Sequence, residues 1–326
     1  VLPNLVALTS EYAPQRVRST LVTTMFSGYA MGGILAALCG TWFTADYGWQ
    51  IMFYIAVIPL LFVPLFWKFL PESLIFLVKA NKQDQARNFL QKVEPAAQVS
   101  ANTQLVLAST DQSGSTSVKE LFSENRAVGT FLFWLAFFMC LLMLYALGSW
   151  LPKLMMAAGY SLGSSLMFLL ALNVGAVIGT ISGGVLADRF DFKRVLIGML
   201  VVGVLSLVGL GFNSPQPVIY LLVSLAGASS IGSSILLYSY VAQYYPVAVR
   251  STGIGWASAV GRTGAIVGPI VIGMLLGMEL PHKWNFIAVA IPGIIGALAI
   301  FFIRPAKTGE IKAEPTAVAS AQPIRS

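Results

Sequence analysis

The sequence predicts an all-α membrane protein that crosses the bilayer many times, and three observations lead there. Of its 326 residues 57% are hydrophobic and only 10% charged, with a mean hydropathy of +0.78. A soluble domain carries roughly 25% charged residues, so this chain has too little polar surface to cover its apolar volume in water. The apolar residues come in runs of about 20, the length an α-helix needs to span the hydrocarbon core. The chain also repeats a phrase: "EYAPQRVRST" (Glu11 to Thr20) returns as "QYYPVAVRST" (Gln243 to Thr252), 232 residues later. So long a period points to two homologous halves rather than a short-repeat solenoid.

In chain order, full spans are expected over 20–43, 49–69, 127–150, 165–187, 195–212, 217–242, 251–277 and 284–303. The opening "VLPNLVALT" is already apolar and has no basic n-region or small-residue cleavage site, so it does not read as a signal peptide. It reads instead as the end of a further membrane helix, 1–10, whose beginning is absent. A polar stretch, 70–126, separates two spans from six, and the Ala/Pro-rich tail 304–326 reads as disordered.

Lysine and arginine set the orientation. Arg16, Arg18, Lys68, Lys79, Lys82, Arg87, Lys92, Lys119, Arg126, Arg189, Lys193, Arg194, Arg250, Arg304, Lys307, Lys312 and Arg325 all fall on one side of alternating crossings. The other side holds only Lys153 and Lys283. Positive charge stays inside, so the loop 70–126 and the C-terminal tail are expected in the cytoplasm of a cell whose inner membrane holds the protein. The same bias accounts for the net charge of +7 without a nucleic-acid partner. Cys39 and Cys140 sit apart inside apolar runs and read as small core residues. His282 is the single histidine, so no metal set or catalytic triad is expected around it. "GGVLAD" follows a membrane helix and not a strand, which leaves ATP-driven transport unsupported.

Arg262 is the one basic residue within a span. A central arginine costs at least ~2.5 kcal/mol to place in a membrane, so it should face a water-filled cavity or pair with an acid. Its planar donor fork fits a carboxylate through two hydrogen bonds, which makes it the candidate for a substrate carboxylate; a structural ion pair is the alternative. Asn173, Tyr145, Tyr238 and Trp256, together with Trp150 and Tyr240, are polar or aromatic residues inside spans that could stack on or hydrogen-bond a ligand, although aromatics near span ends also serve as interfacial anchors. Asp188 ends one span close to the expected start of another carrying Arg250, and an Asp188–Arg250 pair would latch that side closed. Gly28, Gly32, Gly33, Gly261, Gly264 and Gly268 suit tight helix–helix contact.

The two copies of the repeated phrase enclose six spans, and a parallel repeat of six helices resembles the architecture of the major facilitator superfamily. "GGVLADRFDFKR" (Gly183 to Arg194) is similar to that superfamily's G-x-L-A-D-R-x-G-R-[KR] loop, with Asp191 in place of the usual glycine. "LPESLIFLVKANKQDQARNFL" resembles the PES segment of sugar and organic-acid porters. With "SEYAP…RST", "GWQ" (Gly48 to Gln50) and "GRTGAIVGP", the set most resembles the aromatic acid:H+ symporters.

The resemblance implies a fold of two six-helix bundles of which the first three to four helices are missing here. Residues 1–69 would then be the end of helix 4 plus helices 5 and 6, 70–126 the cytoplasmic central loop, 127–303 the C-terminal bundle of helices 7 to 12, and 304–326 the cytoplasmic tail. It implies that Glu11 and Arg18 act in gating, which adds them to Asp188, Arg189 and Arg250 as gating candidates, and that the proton-coupling aspartate lies upstream in a D-G-x-D motif. "FSGYAMGGILAALCG" lacks the G-P-rich pattern of many drug/proton antiporters, which leans towards symport. The implied function is not enzymatic: proton-coupled uptake of an aromatic monocarboxylate, such as benzoate or a hydroxybenzoate, by alternating access. No cofactor beyond the proton gradient is implied, and the carrier is expected to act as a monomer. A symporter of another organic acid, polyol or sugar, and a non-transporting sensor on the same fold, remain open at this point.

Overall fold

A computed structural model describes residues 17–69, most of 118–304, residue 9 and short pieces between 72 and 88. The expectations for Glu11, for the segment 1–8 and for the tail beyond residue 304 lie outside the described residues. The described elements are helical: α1 (Arg18–Tyr47), α2 (Ile51–Ile55), α3 (Val63–Phe69), α4 (Ala127–Ala157), α5 (Leu162–Arg189), α6 (Phe192–Leu210), α7 (Gln216–Tyr244), α8 (Val247–Gly277) and α9 (His282–Phe302).

Seven of these, α1 and α4 to α9, are long and apolar enough to cross a membrane. The eighth expected span, 49–69, is broken. Here α2 passes into a 3-10 turn, Ile58–Phe62, before α3 begins. Pro59 and Pro64 explain the break, because proline removes a backbone donor and its ring collides with the preceding turn. Hydropathy weighs side chains alone and is blind to this backbone effect.

Helices α4 to α9 share one core that runs from Leu121 to Ile303 and is centred on Phe133, Phe137, Met143, Leu147, Phe168 and Leu196. Small residues set its closest approaches. A Cβ at Gly264 or Gly268 of α8 would run into the backbone carbonyls of Phe138 and Leu142 on α4, and one at Gly227 of α7 would meet the Leu172 carbonyl on α5. Such backbone-to-backbone contact is how helices associate where lipid offers no hydrophobic contrast. Of the glycines singled out in the sequence, Gly264 and Gly268 pack in this way, Gly33 and Gly261 lie against the side chains of Asn173 and of Leu141 and Phe137, and Gly28 and Gly32 face open space.

A polar knot fastens one end of this bundle. The Tyr245 hydroxyl, just beyond α7, donates to Thr130 Oγ1 of α4 at 2.8 Å, and Thr130 donates to the Leu121 carbonyl at 2.8 Å. Burial raises the Tyr245 phenol pKa, so it stays protonated as the donor. Tyr245→Phe should cost about 1 kcal/mol and lower the unfolding midpoint by roughly 2–4 °C, as a thermal melt in detergent would show.

Helix α1 lies antiparallel to α5 and packs along it. Thr20 meets Asp188, Thr23 lies against Gly184, and Gly33 lies against Asn173. Between these points Val22, Phe26, Ala30, Ala176, Ile231 and Ile235 form a second apolar cluster. The contact thus covers about 20 Å of α1, thirteen residues at 1.5 Å each.

Candidate functional site

Arg262 is the central residue of α8, fifteen positions from either end, hence about 22 Å from each. Its side chain is exposed and has no hydrogen bond or ion pair to any described residue. Ser258, one turn away on the same face of α8, shows which side this is. Its hydroxyl lies 3.1 Å from that of Tyr238 on α7. The Tyr238 ring in turn stacks on Phe26 of α1 (centroids 6.1 Å, 16°) and meets Phe137 of α4 edge-on (4.9 Å, 81°). Arg262 therefore lies on the flank of α8 turned towards α7 and α1, where four helices cross.

Tyr29 continues the wall. It is one turn beyond Phe26 on α1, more than half exposed, and close enough to Tyr145 of α4 for the two hydroxyls to interact electrostatically. The crossing thus combines flat aromatic faces with one guanidinium that has no counter-charge among the described residues. Rings can stack on an aromatic ligand, and the guanidinium can take its carboxylate in a bidentate pair.

The candidates from the sequence do not all converge here. Tyr238 does, Arg262 lies one turn from its partner Ser258 on α8, and Tyr145 is linked to the wall only through Tyr29. Trp256 does not: it stacks on Trp134 of α4 (5.8 Å, 24°), about 200° round α8 from Ser258. Asn173 is buried at the α1–α5 contact beside Gly33, with its Nδ2 donating to the Leu169 carbonyl at 2.9 Å. Tyr29, Phe26 and Ser258 were not singled out from the sequence. Tyr29 does carry a signal, a polar aromatic nine residues into a span and at the same depth as Gly261 in the repeat. Ser258 carries none, since a lone serine in a membrane helix commonly bonds its own backbone.

At the α5–α6 end the geometry departs from the expected Asp188–Arg250 pair. Asp188 Oδ2 accepts the Thr20 backbone N–H at 3.0 Å and the Thr20 hydroxyl at 2.6 Å. Thr20 lies in the first turn of α1, whose N–H groups have no partner within the helix, so the carboxylate caps α1 from a neighbouring helix. The helix dipole favours an anion there. Arg250 is half-buried and its Nε has no hydrogen-bond partner. Arg189 is exposed. Arg18 opens α1, and its side chain lies outside the described residues. The sequence placed Asp188 at an inter-helix contact; the partner is a helix N-terminus and a threonine, not arginine.

Tyr238→Phe removes the hydroxyl that meets Ser258 while keeping the ring stack. If the hydroxyl orders this wall, ligand affinity should fall by about 1 kcal/mol, close to fivefold, read as a raised KM with kcat little changed.

A helical bundle with a cation held at mid-membrane in an aromatic crossing describes a membrane carrier of the major facilitator fold, as comparison with known proteins bears out. The proton:xylose symporter XylE, solved with 6-bromo-6-deoxy-D-glucose, superposes with a TM-score of 0.63 at 19% identity, covering 92% of this chain and 67% of XylE. The chain matches the sugar (and other) transporter family over residues 5–310, and it belongs to that family. It is a family of transporters and not of enzymes. Relatives include the benzoate transport protein of Acinetobacter baylyi, 48% identical over 93% of this chain and 66% of that protein. The gentisate transporter of Corynebacterium glutamicum is 35% identical over 92% of this chain and 63% of that protein. The 4-hydroxybenzoate transporter PcaK of Acinetobacter baylyi is 33% identical over 92% and 67%. The chain spans about two thirds of the length of the relatives it matches.

Proposed function

We propose that this protein carries benzoate, or a closely similar aromatic monocarboxylate, into the cell together with a proton by alternating access. The observation that carries the reading is the 48% identity to a benzoate transport protein across 93% of the chain, against 31–35% for transporters of hydroxylated acids such as gallate, 4-hydroxybenzoate and gentisate. The geometry agrees with it in chemistry: Arg262 has no counter-charge among the described residues, and rings of Tyr29, Tyr145 and Tyr238 flank the crossing beside it.

In this reading Arg262 binds the carboxylate and the aromatic wall takes the ring. The α1–α5 contact, capped at Thr20 by Asp188, holds one end shut while the ligand enters from the other. In this reading the carrier sits in the inner membrane, and the positive-inside distribution supports a cytoplasmic position for the shut end. Transport uses the proton gradient without a cofactor, and the carrier works as a monomer.

Cells expressing the complete carrier should accumulate labelled benzoate, and a protonophore should abolish the accumulation. Binding without accumulation would mark a receptor. Accumulation that ignores the pH gradient would remove the proton from the mechanism.

A further inference from the structure

On the side of α5 away from α1, the structure has an open, almost wholly apolar groove of about 300 Å³ between α5 and α6, floored by α7. Gly179 and Leu186 of α5, Val195 and Gly198 of α6, and Ser229 of α7 mark its course. Ser182 of this groove and Gly184 of the α1 contact lie about 200° apart on α5. The groove therefore opens on the side of α5 opposite α1 and not into the aromatic crossing. From Leu186 to Gly179 it descends seven residues, about 10 Å.

Its mouth is at the α5–α6 turn, and there the charge is one-sided. Arg189 and Arg194 are exposed and have no hydrogen bond or ion pair to any described residue. Lys193 Nζ donates to the Ile303 carbonyl at 2.8 Å, which brings exposed Arg304 to the same place. Asp188, the nearest acid on α5, is committed to Thr20, which leaves Asp191 as the acidic group of the turn. An apolar groove alone would accept any hydrocarbon; an excess of free guanidinium groups at its mouth selects an anionic head.

We propose that an anionic phospholipid docks here, its phosphate on Arg189 and Arg194 and one acyl chain in the α5–α6 groove. The test uses the complete purified carrier in detergent with phosphatidylglycerol or phosphatidylcholine, and native mass spectrometry to read retained lipid. Phosphatidylglycerol should be retained about tenfold more tightly than phosphatidylcholine. Arg189→Gln with Arg194→Gln should erase that preference. Gly198→Leu should weaken retention of both lipids, because a side chain at this position meets no atom and fills the groove instead. The arginine pair is exposed at the turn, so that arm does not depend on how the groove variant folds. Equal retention of the two lipids by the unmodified carrier overturns the proposal. So does a charge effect without a Gly198→Leu effect, which would mean a headgroup with no seated chain. Displacement of the lipid by an equal concentration of inorganic phosphate overturns it as well.

Discussion

Arg262→Gln is expected to abolish useful uptake: benzoate affinity should fall by about 2–4 kcal/mol, a factor of 30 to 1,000. The reason is the asymmetry of a desolvated ion pair. Removing the guanidinium leaves the ligand carboxylate without a counter-charge at mid-membrane, which costs more than the pair was worth. Arg262→Lys restores the charge but not the planar fork, so it should recover part of the affinity with a raised KM. Initial uptake rates against benzoate concentration read both variants. Unchanged kinetics in both would show that Arg262 does not touch the carboxylate. Loss in Gln with full recovery in Lys would reduce its role to a point charge.

Asp188→Asn is the second large effect, and companion variants at Thr20 and Arg250 separate two readings of the same residue. The carboxylate accepts two hydrogen bonds from Thr20 at the N-terminus of α1. Losing its charge should cost about 1–2 kcal/mol of capping and dipole energy and shift the balance of shut and open states by roughly five- to thirtyfold. Thr20→Val, which deletes one of the two donors, should act in the same direction and more weakly. Arg250→Gln should not, since Arg250 has no ion pair to any described residue. Ser27→Cys provides the probe: Ser27 is buried beside the α1–α5 contact, and in a background without Cys39 and Cys140 its modification rate reports opening. A probe rate that rises with Arg250→Gln and not with Thr20→Val would restore the ion-pair latch.

The parts of the fold that hydropathy could reach were those in which a long apolar run and a helix coincide. Six spans from 127–150 to 284–303 and the span 20–43 became continuous helices close to their expected bounds. The segment 49–69 did not, because Pro59 and Pro64 break backbone hydrogen bonds that an apolarity count never examines. Within the site, Arg262 was legible because a charge in hydrocarbon needs a reason wherever it points. Tyr238 and Trp256 looked equivalent, two aromatics inside spans. One proved to sit at a four-helix crossing and the other on the opposite flank of α8, a difference of side that residue type does not carry.

The amino-acid order alone determined that this chain is a bundle of membrane helices built on a repeated plan, with one cation at mid-depth, since each of these follows from composition and local periodicity. Only the tertiary structure decided what that cation faces, that Asp188 caps α1 at Thr20 instead of pairing with Arg250, and that an apolar groove between α5 and α6 opens beside exposed Arg189 and Arg194. Partners between helices depend on rotation and tilt, which close backbone contacts such as Gly264 on Phe138 set. Those contacts join residues from 55 (Gly227 on Leu172) to 126 (Gly264 on Phe138) positions apart, beyond the reach of any local pattern.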